Sequence, residues 1–172
     1  MKEIVSKIRF FLLKNGIERA KYLKRNNILM YMGENCLYQP YKLPMDPKLI
    51  KIHNNVYIAA NVVFITHDTS RNMLSNKYKK YYSMDLGCIE IMDNVFIGCN
   101  TTILGNVRIG SNVIIGAGSV VTKDIPSNSV VVGNPAKVIG TFEEFLEKRS
   151  LIKEEKDLGL IWQKFAEERK KN

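Results

Sequence analysis

The sequence predicts an all-β solenoid built from very short strands, with helical segments at both ends. Large aliphatic residues recur every six positions without a slip, at Ile91, Ile97, Ile103, Ile109, Ile115 and Val121. Asparagine or glycine follows most of them after three positions, and a small or β-branched residue follows after four. A period of six fits neither an α-helix nor a plain strand alternation, whereas it suits repeated turns with the aliphatic residues stacked inside. A β-sandwich of short strands would show less regular spacing.

Asparagine at the turn position supports this prediction, because asparagine and glycine tolerate the positive φ that a tight turn requires. The same six-residue rule holds upstream at Ile52, Ile58 and Phe64. Residues 32–48 are irregular and contain three prolines, so we expect them to form an imperfect first coil. We therefore expect the solenoid to occupy residues 32–140.

The two flanks are predicted to be helical. Residues 2–25 place four apolar side chains on one helical face, those of Ile4, Ile8, Phe11 and Leu12. We expect the segment 1–31 to cover an open end of the solenoid, with peripheral contact to a membrane surface as the alternative. The sequence TFEE at Thr141 is a capping box, and residues 141–172 are expected to form a C-terminal helical segment.

Charge and composition narrow the class of protein. The chain has 172 residues, a formal net charge of +9 and three widely spaced cysteines. Residues 1–31 hold eight basic and two acidic side chains. No nucleic-acid motif accompanies this charge, so we expect an anionic cofactor or substrate and no nucleic acid. The lack of a long apolar run and of paired cysteines favours a cytoplasmic protein.

The strict pattern breaks at His67, one of only two histidines. The number of positions from Phe64 to Ile91 is not a multiple of six, so the repeat is interrupted between them. We therefore predict that residues 66–88 form an inserted loop. A neutral imidazole at such a break could act as a general base near pH 7, and its side chain should point away from the core. The alternative is a turn residue bonded within its own loop. The other histidine, His53, is expected to be a surface residue.

Three groups of residues resemble one family, the hexapeptide-repeat acyltransferases: the hexads IGCNTT, IGSNVI and IGAGSV, the segment VTKDIPSNSVVVGNPAKVIG, and the stretch VYIAANVVFITHD. The last stretch resembles the branch of galactoside, maltose and capsular polysaccharide O-acetyltransferases. The resemblance covers about residues 33–140. It implies a left-handed parallel β-helix, a homotrimer with sites between subunits, acetyl-CoA as cosubstrate without a metal, and His67 as the catalytic base.

The resemblance also implies where the donor binds. Phe96 matches an aromatic position, commonly Trp, that packs along the pantetheine arm of the cofactor. Gly98 and Cys99 match positions whose backbone groups meet the cofactor's amides, and Ala117 matches another backbone contact to the pantetheine.

Three further positions match the phosphate end of the cofactor. Thr122 and Lys123 are expected near the phosphates, and Lys137 near the nucleotide. Some relatives carry an arginine where this chain has Gly140, which leaves the contact to the 3′-phosphate open. Surface lysines without a ligand are the alternative for Lys123 and Lys137.

The acceptor is expected to be a sugar or polysaccharide intermediate. Asp68 could orient His67 or contact the acceptor, and its alternative is a corner residue bonded to backbone. Arg71 could lie near the acceptor, and its alternative is a solvated loop charge. Galactoside-type enzymes have an additional coil before the hexads that carries acceptor contacts, and we expect this chain to lack it.

Three other functions share the predicted fold. An N-acetyltransferase for an amino sugar nucleotide would often carry a further nucleotide-binding domain, of which no sign is visible. A γ-type carbonic anhydrase binds zinc through three histidines, and this chain has two. A non-catalytic hexapeptide scaffold would not need His67 together with the segment VTKDIP.

Overall fold

The computed structural model describes residues 8–170. The chain divides into two compact units, one ending at Phe142 and one spanning Glu143–Asn172. The first unit contains thirteen short strands in the described part of the chain, and their bounds are β1 (Tyr31–Met32), β2 (Leu37–Tyr38), β3 (Ile50–Ile52), β4 (Val56–Ile58), β5 (Val63–Ile65), β6 (Ile89–Ile91), β7 (Val95–Ile97), β8 (Thr102–Leu104), β9 (Val107–Ile109), β10 (Val113–Ile115), β11 (Val120–Val121), β12 (Ser129–Val132) and β13 (Lys137–Thr141).

The strands form three sheets. Sheet 1 has the order β1-β3-β6-β9, sheet 2 the order β13-β12-β10-β7-β4-β2, and sheet 3 the order β11-β8-β5. From β3 to β11 the chain visits sheets 1, 2 and 3 in constant rotation. Neighbouring strands are parallel throughout, except that β13 turns back antiparallel to β12. The six-residue period therefore corresponds to one strand and one turn, and three such units return the chain to the same sheet.

The repeating aliphatic residues form the core. All six residues of the unbroken run are 0% exposed, and Ile52 and Ile58 join them. Residues such as Val95, Val113 and Ser119, four positions after each repeat, are buried as well. Each strand of two or three residues therefore points its alternate side chains inward, where aliphatic groups from successive coils stack.

The turn asparagines adopt the left-handed conformation that the spacing predicts. Asn94, Asn100, Asn106 and Asn112 have φ values between 56° and 61°, and Gly118 has a φ of 72°. Their side chains also form ladders between coils, as in the bond of 2.9 Å from the Asn94 amide to Asn112 Oδ1. Asp124 is the exception: its φ is not positive, and its carboxylate instead accepts a hydrogen bond from the backbone of Arg108 at 2.7 Å.

The N-terminal flank differs from the predicted continuous helix over residues 2–25. Residues 8–11 are helical, the helix then stops, and α1 begins at Gly16 and ends at Arg25. The Asn15 side chain accepts a hydrogen bond from the Glu18 backbone and caps α1 at its N-terminus, which explains the break. The predicted apolar face is wrong too: Phe11 and Leu12 are 61% and 70% exposed, whereas Phe10 is buried. Ile4 lies outside the described residues.

Helix α1 covers the end of the solenoid at β1 and β2. Arg19 is 2% exposed, and its Nε donates to the carbonyl of Tyr38 at 3.1 Å. Phe10 packs against Tyr22 and Tyr38, with ring centroids 5.8 and 5.9 Å apart. These contacts shield the strand edges of the first coil, which would otherwise be free to pair.

The remaining helices are α2 (Ser70–Tyr78), α3 (Phe142–Ser150) and α4 (Leu158–Arg169). Helix α3 starts directly after Thr141, where the capping box predicts it. The apolar side chains of α4 remain exposed, with Trp162 at 67% and Phe165 at 43%. Within residues 8–170, no helix has the length and apolar character needed to cross a bilayer.

Candidate active site

His67 lies at the corner where the chain leaves sheet 3 after β5. The preceding residue, Thr66, is 2% exposed, so the backbone is held firmly against the core. The His67 side chain lies outside the apolar core, but it is only 12% exposed because it bonds Asp46. Its backbone pairs with Leu86 as an antiparallel bridge, which closes the base of the inserted segment.

A carboxylate that the sequence did not suggest holds the imidazole. Asp46 Oδ2 lies 2.5 Å from His67 Nδ1 and accepts a further hydrogen bond of 2.6 Å from Thr66 Oγ1. Asp46 ends the irregular first coil, just before the 3-10 turn Pro47–Leu49. Thus Thr66 and His67, on one coil, both bond a single carboxylate oxygen of Asp46 on the preceding coil.

The protonation state of Asp46 decides the tautomer of His67. The hydrogen bond from Thr66 and the interactions with His67 hold the pKa of Asp46 below its usual value, although partial burial acts in the opposite direction. An ionised carboxylate can only accept, so the Nδ1 atom of His67 carries the hydrogen. The lone pair on Nε2 is then available to take a proton, which is the arrangement that a general base requires.

Asp68 does not orient His67. Its Oδ1 accepts a hydrogen bond of 2.8 Å from the backbone of Ser70 at the start of α2. Hydrogen bonds from Ser70 lower the pKa of Asp68, and the charge of His67 adds a smaller effect in the same direction. The inserted segment is therefore not a loop throughout, because α2 forms within it and Asp68 stabilises the first turn.

Arg71 lies in the first turn of α2, four residues after His67. The Nε atom of Arg71 is shielded from solvent and has no hydrogen-bond partner in the described part of the chain. A guanidinium nitrogen withdrawn from water without a partner is costly, since such a group loses its hydration. The Nε–H of Arg71 can therefore donate a hydrogen bond to a bound molecule.

The predicted donor residues fall into two places in the fold. Gly98, Cys99 and Ala117 lie on successive coils at the corner between sheets 2 and 3, where the Gly118 backbone donates to the Cys99 carbonyl at 2.8 Å. Thr122 and Lys123 follow β11 at the corner between sheets 3 and 1, the corner that also holds His67. The width of sheet 3 therefore separates the two groups within one chain.

Gly98 serves the packing of coils, and its amide is not free. A Cβ at Gly98 would lie 2.5 Å from the backbone nitrogen of Ala117, so only glycine fits. The Gly98 amide donates to the Ile115 carbonyl at 2.8 Å. Cys99 and Ala117 are exposed beside it. The small residues give this corner a shallow surface that a narrow chain can follow.

Phe96 projects from the outer face of sheet 2 and is 44% exposed. The strand register places it between Tyr57 on β4 and Ile114 on β10. Sheet 1 is different: three charged residues follow Tyr31 in its outward row, namely Lys51, Glu90 and Arg108, and Arg108 Nε donates to Glu90 at 2.9 Å. The row on sheet 2 is therefore better suited than the row on sheet 1 to apolar contact with a ligand or another protein surface.

The two lysines expected at the phosphates are both exposed, Lys123 beyond β11 and Lys137 at the start of β13. Neither forms a salt bridge within the described residues. Both are therefore free to contact phosphate, although they lie in different sheets.

His53 has a separate environment. Its Nε2 lies 3.2 Å from Glu90 Oε1, and its ring lies 5.2 Å from that of Tyr31. This hydrogen bond is the main reason that the pKa of Glu90 is lowered. His53 thus belongs to the charged outer face of sheet 1, away from His67.

Asp46 is the residue that sequence reasoning missed. Strands β1 and β2 pair with β3 and β4, so the irregular first coil expected before Ile52 is present, and its last part supplies the partner of the histidine. The one available signal was an acidic residue at the end of an irregular, proline-rich coil next to the coil of His67. Among residues 8–170, no group of three potential ligands from His, Cys, Asp and Glu could hold a metal ion.

Comparison with known proteins agrees with this geometry. The family model "Bacterial transferase hexapeptide (six repeats)" matches residues 89–123. Protein CapG from Staphylococcus aureus is 42% identical over 140 residues, which is 80% of this chain and 78% of CapG. Some relatives are longer, and the chain spans 50% and 57% of two yeast relatives.

Two solved structures extend the comparison. A maltose O-acetyltransferase from Clostridium difficile 630 superposes with a TM-score of 0.61 at 29% identity, over 80% of this chain and 83% of that one. A galactoside acetyltransferase solved with coenzyme A superposes with a TM-score of 0.62 at 26% identity, over 91% of this chain and 84% of that one. From the repeats, the histidine at their break and these relatives, we conclude that the chain is an acetyltransferase belonging to the bacterial hexapeptide-repeat transferase family.

Proposed function

We propose that the protein is an O-acetyltransferase that moves an acetyl group from acetyl-CoA to a hydroxyl of a sugar or polysaccharide intermediate. The observation that carries this proposal is the bond of 2.5 Å between His67 Nδ1 and Asp46 Oδ2. It fixes one tautomer of the imidazole and leaves Nε2 as the base. His67 is the catalytic residue in this proposal, and Asp46 is a positioning residue.

His67 carries one proton through the reaction. Its Nε2 takes the proton from the acceptor hydroxyl while the oxygen attacks the thioester carbonyl. As the carbon–sulfur bond breaks, the imidazolium returns the proton to the departing sulfur, so that free coenzyme A and the acetyl ester are formed. Asp46 stabilises the imidazolium between these steps, because a charge-assisted hydrogen bond is roughly twice as strong as a neutral one.

Arg71 and Asp68 are proposed to contact the acceptor. The unpartnered Nε of Arg71 supports this role, since a hydroxyl or ring oxygen could accept its hydrogen bond. The carboxylate of Asp68 accepts a hydrogen bond from the Ser70 backbone through Oδ1, and a sugar hydroxyl could donate a further one to it. Both residues lie within four positions of His67.

The donor is proposed to run along the corner of small residues at Gly98, Cys99 and Ala117. The residues present fit a pantetheine arm, because this corner is shallow and the exposed ring of Phe96 lies on the adjoining sheet face. Thr122, Lys123 and Lys137 are proposed at the phosphate end. Cys99 and Ala117 contribute backbone groups, whereas the Gly98 amide is already bonded.

We further propose a left-handed sense for the coils and a homotrimer whose subunits share each site. The separation of the two groups of donor residues by sheet 3 supports this, because a neighbouring subunit could bring one group beside the other. The apolar outer row of sheet 2, with Tyr57 45% exposed and Phe96 44% exposed, also suits a covered face. Light scattering at micromolar concentration should give a trimer mass, and a monomer mass would contradict the shared site.

The experiment that tests the function is release of coenzyme A, followed by titration of the free thiol. Acetyl-CoA should be supplied with a panel of sugars, oligosaccharides and amino sugar nucleotides. Release should depend on a hydroxyl acceptor and should disappear in His67→Ala. Release of coenzyme A with amino sugars alone would favour N-acetyl transfer. Release at the same rate without any acceptor would mean that acetyl-CoA is only hydrolysed, and it would contradict the proposed transfer.

A further inference from the structure

An apolar groove of about 400 Å³ runs beside the candidate site. One wall is the chain segment after β2, including Tyr41, Leu43 and Met45, and the other is β5 with Val63 and Ile65. Three of these side chains are well exposed: Tyr41 at 52%, Met45 at 72% and Val63 at 46%. The groove is therefore open to a ligand from solvent.

On both walls, the lining of the groove stops one residue before the hydrogen-bonded pair Asp46 and Thr66, and Asp46 also bonds His67. Met45 directly precedes Asp46, and Ile65 directly precedes Thr66. The hydrogen bond of 2.6 Å from Thr66 to Asp46 joins the two walls at this point. One end of the groove therefore lies next to Asp46, the partner of His67.

The lining is poor in free polar groups. The hydroxyl of Tyr38 donates to the backbone carbonyl of Lys42 at 3.1 Å, and the amide of Asn61 donates to Asn100 at 3.2 Å. The other side chains of the walls are mainly apolar. Binding of a bare sugar chain would require several oriented hydrogen-bonding groups, whereas these walls favour an apolar chain.

The apolar surface continues towards the N-terminal flank. A second cavity of about 280 Å³ shares Tyr41, Lys42 and Leu43 with the groove and adds Phe10 and Phe11. The rings of Phe11 and Tyr41 lie 5.7 Å apart, and Phe11 is 61% exposed. The two cavities therefore adjoin each other at Tyr41, Lys42 and Leu43.

Positive charge accompanies the two cavities. Lys42 lines both cavities and forms no salt bridge within the described residues. The guanidinium of Arg19 lies 4.3 Å from the centre of the Tyr41 ring. An ammonium beside an apolar path complements a phosphate at the head of an apolar chain.

We propose that the acceptor is a glycolipid in which the sugar is joined through a phosphate to a long apolar chain, and that this groove binds the chain. The proposal rests on the proposed function, because it places the sugar hydroxyl at His67. Lys42 contacts the phosphate, and the walls formed by Met45 and Val63 exclude water from the chain.

Binding of alkyl phosphates to the full-length protein tests this proposal without requiring acetyl transfer. Isothermal titration should compare butyl phosphate with octyl phosphate, both below the concentrations at which micelles form. Each buried methylene is worth about fourfold in affinity, so octyl phosphate should bind at least about tenfold more tightly even in a half-open groove. Inorganic phosphate should bind more weakly than either probe.

A matched pair of methionine variants locates the site. Met45→Asp, in the groove wall, should lower the affinity for octyl phosphate at least about tenfold, whereas Met73→Asp on α2 should leave it close to that of the unmodified protein. Lys42→Met should weaken both alkyl phosphates by about threefold or more. Met45 is 72% exposed and Met73 58% exposed, so neither change should prevent folding.

Several results would overturn the proposal. Equal affinity for butyl and octyl phosphate would show that no apolar chain is bound. Binding to anionic phospholipid vesicles without binding to monomeric octyl phosphate would indicate attachment to a membrane surface instead. A change of oligomeric state in Met45→Asp, with no alkyl phosphate bound by the unmodified protein, would make the groove a subunit interface. Any of these results leaves acetyl transfer to a lipid-free sugar intact, which separates this failure from failure of the proposed function.

Discussion

Replacing Asp46 by asparagine tests whether this carboxylate positions the catalytic histidine. The change keeps the size of the side chain but removes its charge. It also places an N–H group where Nδ1 of His67 needs an acceptor. An amide that donates to Nδ1 would favour the tautomer with the hydrogen on Nε2, and that tautomer cannot act as a base.

The expected magnitude follows from the bond that is lost. His67 Nδ1 donates to Asp46 Oδ2, and this hydrogen bond is charge-assisted because the lowered pKa of Asp46 keeps its carboxylate ionised. Such bonds contribute about 1.5 to 3 kcal/mol, and about 1.4 kcal/mol corresponds to tenfold in rate. We therefore expect Asp46→Asn to lower kcat by about 10- to 150-fold.

The assay is the initial rate of coenzyme A release at saturating donor and acceptor. Asp93→Asn is the matched control, because Asp93 bonds Asn54 at the corner between sheets 1 and 2, away from the histidine. Its kcat should remain close to that of the unmodified enzyme. If Asp46→Asn also kept full kcat, the short bond to His67 would have no role in the reaction and the proposed positioning would be wrong.

Three further changes probe the donor site, the pH dependence and the core. Phe96→Ala should raise the KM for acetyl-CoA about fivefold, which is equivalent to about 1 kcal/mol of aromatic packing. The control Tyr31→Ala, on sheet 1, should leave this KM unchanged. An unchanged KM in Phe96→Ala would contradict the placement of the pantetheine. The lowered pKa of Asp46 means that its ionised form stabilises the fold above the usual aspartate range, about pH 4, and that this stabilisation is lost as the pH falls through the lowered value. The difference in melting temperature between the unmodified protein and Asp46→Asn should therefore shrink below about pH 4, and a difference that grows on acidification would contradict this sign. Ile103→Ala should lower the free energy of unfolding by about 2–5 kcal/mol, because Ile103 is 0% exposed. The control Ile139→Ala should lower it little, because Ile139 is 63% exposed. Equal losses for the two variants in chemical denaturation would argue against the stacked core.

The repeats could be predicted because their signal is local and periodic. One strand and one turn occupy six residues, so the inward position returns at Ile97, Ile103 and Ile109 regardless of what the rest of the chain does. The asparagines at the turns add a second, independent signal, since Asn94 and Asn100 adopt the positive φ that their residue type tolerates.

The N-terminal flank shows where periodicity misled. The apolar residues Ile8, Phe11 and Leu12 share a helical face, but the chain reverses before α1 and buries Phe10 against Tyr38 instead. The stop was visible in the sequence as Asn15 followed by Glu18, a capping pattern that competes with helix continuation.

The partner of the histidine could not be found from spacing. Asp46 and His67 are 21 positions apart, and Asp46 ends an irregular coil whose length does not follow the six-residue rule. Only the three-dimensional path of residues 39–46 brings the carboxylate to the imidazole. The cavities beside it have the same origin, because one of their walls belongs to residues 38–45, which carry no repeat.

The central claim is that His67 is the general base, and the kcat of His67→Ala beside that of His53→Ala tests it most directly. Loss of a positioned base lowers kcat by about 10²- to 10⁴-fold, and we expect this for His67→Ala with the KM for acetyl-CoA nearly unchanged. Some loss of thermal stability is also expected, because the side chain is only 12% exposed and bonds Asp46. His53→Ala should keep the rate, since His53 bonds Glu90 on another face. Full kcat in a folded His67→Ala variant would contradict the account.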